Sequence, residues 1–413
     1  MELLAPAGSL ESLHAAVNAG CNSIYFGAHH LNMRARSSDN FDLTDIKEII
    51  DFCHTHKVKA YLTINSLLYD HDIKLAHKTL EEAKTAGVDA VIAADTALIL
   101  KAHEMKIPVH ISTQLSVSNF ETVKFWSKYA DVIVLARELD LNMIKNITER
   151  ISAENIIGPS GEKVKIEIFG HGALCIAISG RCSMSLYADN SSANRGACKQ
   201  PCRRSYELVD SETGDKLEID NEYILSPKDI CVIGFLDKIK DAGISVLKIE
   251  GRGRSPDYVD VTIRCYKEAI QSLKDGFYTP EKINNWKTEL QKVFNRGFFD
   301  GYYLGLNSAE LSKAEGSVAK QKKIFVGKIQ KYFSKAKAAQ LFIEAAELPI
   351  NSRILITGVT TGVLWEDLTE LRNEERELIN SGQKKTIVTL PVSSKVRPGD
   401  KLYLVVNEDL GAV

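Results

Sequence analysis

Short apolar runs alternate with helical segments along the first two thirds of the chain, and this alternation constrains the fold most. The runs are apolar at successive positions, as in parallel strands covered on both faces, whereas residues 10–19 and 43–56 place apolar side chains at three- and four-residue steps. The predicted strands are residues 2–5, 23–26, 59–64, 90–94, 109–113, 132–136, 164–169 and 245–250. Eight β/α units predict a closed (β/α)8 barrel. The alternative is an open doubly wound sheet, but no Gly-rich dinucleotide-binding turn follows the first predicted strand of this sequence.

The regular spacing breaks once, after the seventh predicted strand. A cysteine-rich insertion at about residues 171–231 leaves the carboxyl end of that strand, where barrel active sites form. We therefore predict an α/β protein with a TIM-like barrel over residues 1–310 that carries this insertion. Residues 323–413 show short strands separated by turn signals such as Pro398-Gly399-Asp400, which predict a small antiparallel β-barrel, here taken as an RNA-binding appendage.

Composition excludes several classes of protein. The net charge of −2 does not suit a histone-like nucleic-acid binder, although it allows local basic surfaces. The first residues lack the basic and apolar regions of a signal peptide, and no run of 18 apolar residues occurs. We therefore expect a cytoplasmic protein without a membrane segment.

Five of the eight cysteines fall within 57 residues: Cys175, Cys182, Cys198, Cys202 and Cys231. In a reducing compartment, cysteines grouped in this way are expected to be ligands or catalysts rather than disulfides. Their spacing matches neither the CxxC pairs of zinc ribbons nor the runs of ferredoxins. Thiolates suit both an iron–sulfur cluster and zinc, and unligated thiols are the third interpretation, so the spacing leaves the metal open.

Longer motifs surround these cysteines. HGALC, SGRC, SANRGAC and QPCR, together with ELLAPAG near the start and KIEGRGRSPDYV after the eighth strand, closely resemble the collagenase-like family once called peptidase family U-thirty-two. The resemblance extends over about residues 1–305, and the C-terminal region is similar to the appendage of the tRNA 5-hydroxyuridine synthase branch. It implies a [4Fe–4S] cluster and oxygen-independent hydroxylation of the tRNA wobble uridine, with prephenate as co-substrate.

The resemblance also implies the cluster ligands. Cys175, Cys182 and Cys198 match the family's ligand cysteines, whereas the fourth has two candidates. Cys231, in SPKDIC, matches the pattern of one branch, and Cys202 matches the CxxxC pair of another. We prefer Cys231 and keep Cys202 as the alternative.

His171, His110 and Glu250 are the candidate catalytic residues. His171 follows the seventh strand, His110 lies on the fifth and Glu250 ends the eighth, so each is near the expected active-site end. For either histidine the competing interpretation is a buried side chain with a structural hydrogen bond. The sequence contains no HExxH, GxSxG or catalytic-cysteine signature, so no peptidase machinery is recognisable.

Cationic side chains provide candidate substrate contacts. Five of them follow predicted strands at the active-site end: Arg34, Arg36, Arg137, Arg252 and Arg254. Arginine forks suit both the carboxylates of prephenate and the phosphates of RNA, although any one of them could instead form a surface salt bridge. Lys320, Lys322 and Lys323 belong to a stripe of eight lysines between Leu311 and Gln340, with Glu315 as the one acid. Such a stripe could follow an RNA backbone or be a solvated linker.

The leading hypothesis is an iron–sulfur-dependent tRNA hydroxylase that forms 5-hydroxyuridine. The alternatives are a hydroxylase of ribosomal RNA or of a quinone precursor, a collagenase-like peptidase, and a non-catalytic iron–sulfur module. The implied partners are tRNA, a small dicarboxylate donor and, as in many families of this kind, a paralogous protein.

Overall fold

The eight predicted strands close into a parallel barrel. The computed structural model describes residues 1–36, 38–219, 221–305 and 309–408. In it, β8 pairs in parallel with both β7 and β1, which joins the two edges of the sheet and confirms the TIM-like barrel. The strands are β1 (Glu2–Pro6), β2 (Ser23–Gly27), β3 (Lys59–Ile64), β4 (Ala90–Ala93), β5 (Val109–Ile111), β6 (Val132–Val134), β7 (Lys165–Ala173) and β8 (Val246–Ile249).

Helices cover the outside of the barrel. The described residues form α1 (Leu10–Asn18), α2 (Ile46–Thr55), α3 (Asp70–Ala86), α4 (Thr96–Glu104), α5 (Phe120–Trp126), α6 (Leu141–Ala153), α7 (Met184–Asp189), α8 (Leu236–Asp241), α9 (Pro256–Lys274) and α10 (Pro280–Lys292). Side-chain caps start several of them: Ser9, Asp95, Asn119 and Asp140 each accept a backbone N–H of the first turn.

Successive side chains of each barrel strand point to opposite faces of the sheet, so they form two separate apolar clusters. Leu3 points outward and packs with the helices in the main core, whereas its neighbour Leu4 points into the barrel and packs with Tyr25 and Tyr61. The barrel interior is therefore filled by side chains. A substrate site can form only above this filling, at an open end of the barrel.

The predicted insertion lies between β7 and β8 and contains α7. Its return segment, Asp229–Cys231, pairs antiparallel with the end of β7, so that Cys231 is opposite His171. A short hairpin, Leu208–Val209 with Lys216–Leu217, extends from the same region. The insertion thus folds back onto the carboxyl ends of the barrel strands.

The C-terminal region forms antiparallel sheets, as predicted. Its main sheet has the order β12-β11-β14-β9-β10-β13, with strands β9 (Gln321–Phe333), β10 (Ala338–Ile343), β11 (Arg353–Gly358), β12 (Gly362–Asp367), β13 (Ile387–Pro391) and β14 (Lys401–Asn407). The predicted domain ends at residue 413, but residues 409–413 lie outside the described residues. Strand β12 was not predicted from the sequence.

Strand β12 forms part of the contact with the barrel. The Trp365 indole N–H donates to Asp260 of α9 at 3.0 Å, and Val363 packs with Ala15 of α1. Lys323 of β9 forms an ion pair with Asp257 at the start of α9. Val363 and Trp365 of β12 therefore contact the barrel, whereas its last residue, Asp367, pairs with Arg353 of β11.

A membrane-spanning helix is absent from the described residues, since none of their helices is both long and apolar enough.

Candidate functional site

A cavity of about 200 Å³ opens at the carboxyl ends of the barrel strands, beneath the insertion. Four cysteines contribute to its wall: Cys175, Cys182, Cys198 and Cys202. All four are partly exposed. The barrel supplies the floor of the cavity and the insertion supplies its thiols, so the site requires both segments to be docked together.

Local contacts hold these cysteines in place. The Met184 N–H donates to Cys182 Sγ at 3.3 Å, and the Ser185 hydroxyl lies 4.0 Å from Cys198 Sγ. Burial raises the pKa of the Cys202 thiol, Arg203 opposes the rise, and the other three cysteines add to it by charge repulsion. The four thiols therefore belong to one electrostatic group.

Cys231 does not belong to this group. It is buried on the other side of β7, where the Tyr266 hydroxyl lies 3.8 Å from its Sγ, and it does not line the cavity. Burial raises the pKa of its thiol to about 11. The preference for Cys231 as the fourth ligand thus has no support from its placement, because its strand turns the side chain away from the cavity. Cys202, the alternative, is the cysteine that joins the other three.

The chemistry of this donor set can be compared with the two metals considered. A single zinc ion requires its ligands to converge, with sulfur about 2.3 Å from the metal. In the described part of the chain no three His, Cys, Asp or Glu side chains converge in this way. An iron–sulfur cluster takes its four cysteines on separate iron atoms and is larger. Four cysteines around one cavity fit that requirement.

Arg195, between Cys182 and Cys198, anchors the insertion to the barrel. Its two terminal nitrogens bind both carboxylate oxygens of Asp72 at 2.6 and 3.2 Å, and its guanidinium stacks 4.3 Å from the Tyr69 ring. The side-chain hydrogen bond from Arg195 lowers the pKa of Asp72 to about 2, although burial opposes the shift. We call this set of contacts the Arg195 clasp.

The residues beside Arg195 strengthen the attachment. The Leu67 N–H donates to the Asn194 carbonyl at 3.0 Å, and the Asn194 side chain accepts the Cys182 N–H at 3.3 Å. Gly196 has φ +83°, and a Cβ there would lie 2.2 Å from the Asn32 carbonyl oxygen. Only glycine fits this approach. The NRG segment of the motif is therefore a structural turn that presents the flanking cysteines.

The cavity wall is strongly cationic. Seven cationic side chains line it: Arg34, Arg137, Arg203, Lys248, Arg252, Arg254 and Arg296. Among the described residues, Glu250 is the one carboxylate that lines it. Such a concentration of positive charge in a partly buried site favours an anionic ligand.

Glu250 is a counter-charge with two hydrogen-bond partners, Arg34 and Tyr25. Arg34 Nη2 binds its Oε1 at 2.7 Å, and the Tyr25 hydroxyl donates to its Oε2 at 3.1 Å. Burial disfavours its ionised form, but the positive charges of Arg34 and Arg252 prevail and lower its pKa to about 2. Glu250 is therefore a carboxylate at neutral pH, and it orients Arg34 at the wall.

Arg252 has an unused donor. Its side chain is buried, and one terminal nitrogen donates to Asn32 Oδ1 at 3.1 Å, yet its Nε has no hydrogen-bond partner in the part of the chain that the structure describes. A buried donor without a partner is costly, and a bound anion would satisfy it. Arg137 stacks on Phe169 and Arg254 on Phe294, which leaves their polar edges without a carboxylate partner in the described structure. These three arginines are the free cations of the cavity.

The two histidines lie in the core and do not line the cavity. His171 Nδ1 is 3.3 Å from the Tyr266 hydroxyl, and burial lowers the pKa of its imidazole to about 3. His110 packs on Tyr61 inside the barrel, with its Nδ1 3.6 Å from Glu167. Their placement gives no support to the predicted catalytic roles, because β5 and β7 carry both rings away from the opening.

Sequence reasoning missed two wall residues, Lys248 and Arg296, and considered Arg203 only as one of the basic residues of the insertion. Lys248 of β8 reaches the cavity from below and binds the fully buried Glu167 at 2.8 Å. The Arg203 guanidinium donates to the Leu174 and Pro227 carbonyls, and Arg296 lies 3.6 Å from Asp229. Lys248 and Glu167 could have been found from the sequence, because a charged residue within an otherwise apolar strand is unusual. Arg296 is remote in sequence and had no such signal.

The remaining predicted contacts lie outside the cavity. Arg36 is exposed on the loop after β2, where its backbone N–H donates to the Gly196 carbonyl at 3.2 Å. Lys320 and Lys322 are exposed on the C-terminal region. Lys323 differs, because its ion pair with Asp257 makes it part of the contact between barrel and sheet. It is the one lysine of the stripe that has an acidic partner within the described residues.

Fold and site together define a (β/α)8-barrel protein whose anion-attracting cavity opens beside four cysteines. Comparison with known families is specific: the model of peptidase family U32 matches residues 8–313. The chain belongs to this family.

Its relatives carry enzyme names of two kinds. A Porphyromonas gingivalis protein named collagenase is 49% identical over 97% of each chain. The Bacillus subtilis tRNA hydroxylation protein P1 is 33% identical over 80% of this chain and 77% of its own length. An Escherichia coli 23S rRNA 5-hydroxycytidine synthase is 31% identical over 75% of this chain and 46% of its own. Peptidase-named and RNA-hydroxylating proteins therefore both belong to this enzyme family.

The Arg195 clasp predicts how the insertion responds to substitution. Arg195→Met keeps the apolar stem and removes a bidentate, charge-assisted pair worth about 1.5–3 kcal/mol per such bond. We expect limited proteolysis within the insertion to be at least about tenfold faster, with the barrel's melting temperature little changed. Arg204→Met is the matched control. Arg204 lies in the same insertion, but it is exposed, and its pair with Asp189 is longer, at 3.3 Å. Equal cleavage of the two variants would show that the clasp does not hold the insertion.

Proposed function

We propose that this protein hydroxylates the tRNA wobble uridine to 5-hydroxyuridine without molecular oxygen. The reaction would use a [4Fe–4S] cluster and a small dicarboxylate as the oxygen donor, with prephenate as the candidate. The observation that carries the proposal is the composition of one cavity, in which four cysteines and seven cationic side chains face the same space.

The free cations support a dicarboxylate in this cavity. Among the described residues, Arg137, Arg252 and Arg254 have polar edges without carboxylate partners, and the buried Arg252 Nε has no acceptor. Two carboxylate groups would supply the acceptors that these donors lack. The volume of about 200 Å³ is close to that of cavities that hold a single aromatic ring. Glu250 would not compete for the ligand's place, because it is bound to Arg34 and Tyr25.

The four cysteines would hold the cluster, with Cys202 as the fourth ligand. When bound, an iron–sulfur cluster supplies one-electron transfer or an iron that binds substrate. The chain's own residues would then orient the donor: Arg137 from the β6 loop, and Arg252 and Arg254 from the β8 loop. The insertion forms the part of the cavity wall that lies above the barrel.

Relatives and surface charge support an RNA target. Two relatives are named for hydroxylation of tRNA and rRNA. Four exposed lysines have no acidic partner among the described residues: Lys320 just before β9, and Lys322, Lys328 and Lys331 on it. A row of unpaired cations suits a phosphate backbone. Hydroxylation of ribosomal RNA or of a quinone precursor is the variant of this proposal that differs only in target.

A collagenase-like peptidase is the second candidate, because the 49% identical relative carries that name. A cysteine peptidase needs a histidine beside its nucleophile. Within the described residues no histidine lines the cavity, and His110 and His171 are enclosed in the core. The cavity chemistry therefore favours the hydroxylase.

Mass spectrometry of tRNA nucleosides tests the function. A strain without this gene should lose 5-hydroxyuridine and its derivatives, and the wild-type gene should restore them. Arg252→Gln should restore much less, by at least about tenfold if one charged hydrogen bond to the donor is lost. Lys47→Gln is the matched control, because Lys47 is exposed on α2, pairs with Asp51 and does not line the cavity.

An unchanged tRNA profile would remove tRNA as the target. A simultaneous loss of a hydroxylated ribosomal nucleoside would move the target to rRNA. Cleavage of collagen by the purified protein, abolished by Cys175→Ser, would favour the peptidase instead.

The ligand set predicts different results for two cysteines. Protein purified without oxygen should be brown and contain about four irons and four sulfides per chain. Cys202→Ser should lose most of the iron, whereas Cys231→Ser should keep it because that thiol faces Tyr266. The reverse result would restore Cys231 as the fourth ligand, and stoichiometric zinc without iron would contradict the cluster.

The lysine stripe predicts the salt dependence of tRNA binding. Replacing Lys320, Lys322, Lys328 and Lys331 with Gln should weaken binding and flatten the plot of log affinity against log salt by up to about one unit per lost phosphate contact. Lys323 is left intact because it binds Asp257. The matched control replaces four ion-paired lysines of barrel helices: Lys47, Lys101, Lys124 and Lys292. If both variants behave alike, the stripe does not contact RNA.

A further inference from the structure

Helix α7 has two unlike sides. On the inner side Met184 lines the cavity, and the Ser185 hydroxyl lies near Cys198 Sγ. On the outer side Tyr187 is 89% exposed and Leu186 is 50% exposed. A tyrosine so fully exposed contributes almost nothing to packing, so its large apolar surface has no structural function in this chain.

Cations flank this exposed pair. The Lys199 N–H donates to Ser185 Oγ at 3.0 Å, which places Lys199 beside α7, and its own side chain is exposed. Arg204 lies 3.3 Å from Asp189 at the end of the helix. Arg181, just before α7, is also exposed, and its Nε donates to the Gln114 carbonyl of the barrel at 3.3 Å. Within the described residues, Asp189 is the one acid bound to any of these three cations. The insertion therefore carries exposed apolar side chains on α7 and exposed cations in the segments that adjoin this helix.

This combination is suited to single-stranded RNA. Unpaired bases stack on exposed aromatic rings, while neighbouring cations bind the phosphates between them. A protein partner would call for a broader apolar patch, whereas on α7 the exposed large apolar side chains are Leu186 and Tyr187, with Lys199 and Arg204 in the adjoining segments. Charge and shape both favour a nucleic acid.

We propose that Leu186 and Tyr187, with Lys199 and Arg204 beside them, form a stacking platform for an unpaired base of an RNA loop. We call it the α7 platform. This inference rests on the proposed function, since it takes RNA as the ligand. One side of α7 shapes the cavity and the other side binds RNA, so a nucleotide next to the modified one would be held beside the cysteines.

The test measures binding of a short RNA hairpin with an unpaired loop and of a blunt duplex with the same stem. Tyr187→Ala should weaken hairpin binding about tenfold, the usual scale of one lost base stack. The slope against salt should not change, because no charge is removed. Tyr187→Phe keeps the ring and should bind the hairpin like the wild type. Duplex binding should be the same in all variants, because paired bases are not free to stack.

Phe277→Ala is the matched control. Phe277 is 63% exposed and follows α9, which begins at the cavity end of the barrel and runs to the opposite end. Its replacement should leave hairpin binding unchanged. Tyr187→Ala protein with wild-type affinity for the hairpin would overturn the α7 platform alone. A wild-type protein that binds neither RNA would overturn the proposed function together with it. If Tyr187→Ala abolishes self-association and leaves RNA affinity unchanged, the surface binds protein and the inference is wrong.

Discussion

Closure of the parallel barrel is the constraint on which the rest of the structure depends. Once β8 pairs with both β1 and β7, every strand ends at the same rim and every loop after a strand meets the others there. Residues far apart in the chain, such as Arg34 and Glu250, are then brought to 2.7 Å. The packed interior, with Leu4, Tyr25 and Tyr61, closes the barrel below and leaves the rim as the place for chemistry.

Electrostatics set what this rim can bind. Like charges around a partly buried cavity repel one another, and the repulsion grows as water is excluded. Three carboxylates offset part of it by pairing with one cation each: Glu250 with Arg34, Glu167 with Lys248, and Asp229 with Arg296. The cations left over are the ones that an anionic ligand would neutralise. The protein thus tolerates an excess of positive charge at one point, a common arrangement at binding sites.

The insertion shows how cysteines on irregular segments can be held in fixed positions by a rigid scaffold. Its cysteines lie on irregular segments and short helices, which by themselves would not fix the distances among four thiols. The Arg195 clasp and the close approach at Gly196 tie these segments to loops of the barrel. The barrel therefore sets the positions of the cysteines, because residues that lie between Cys182 and Cys198 in the sequence bind to its loops.

The sequence by itself determined the barrel, the place of the insertion and three of the four cysteines at the cavity. Apolar periodicity and motif spacing are local properties, and strand and helix formation depend on them directly. Only the tertiary structure decided which residues at the rim face the cavity. Cys231, His171 and His110 turn into the core, whereas Cys202, Lys248 and Arg296 reach the cavity. A shift of one residue along a strand exchanges its two faces, and strand register depends on pairing with neighbours that are distant in the chain.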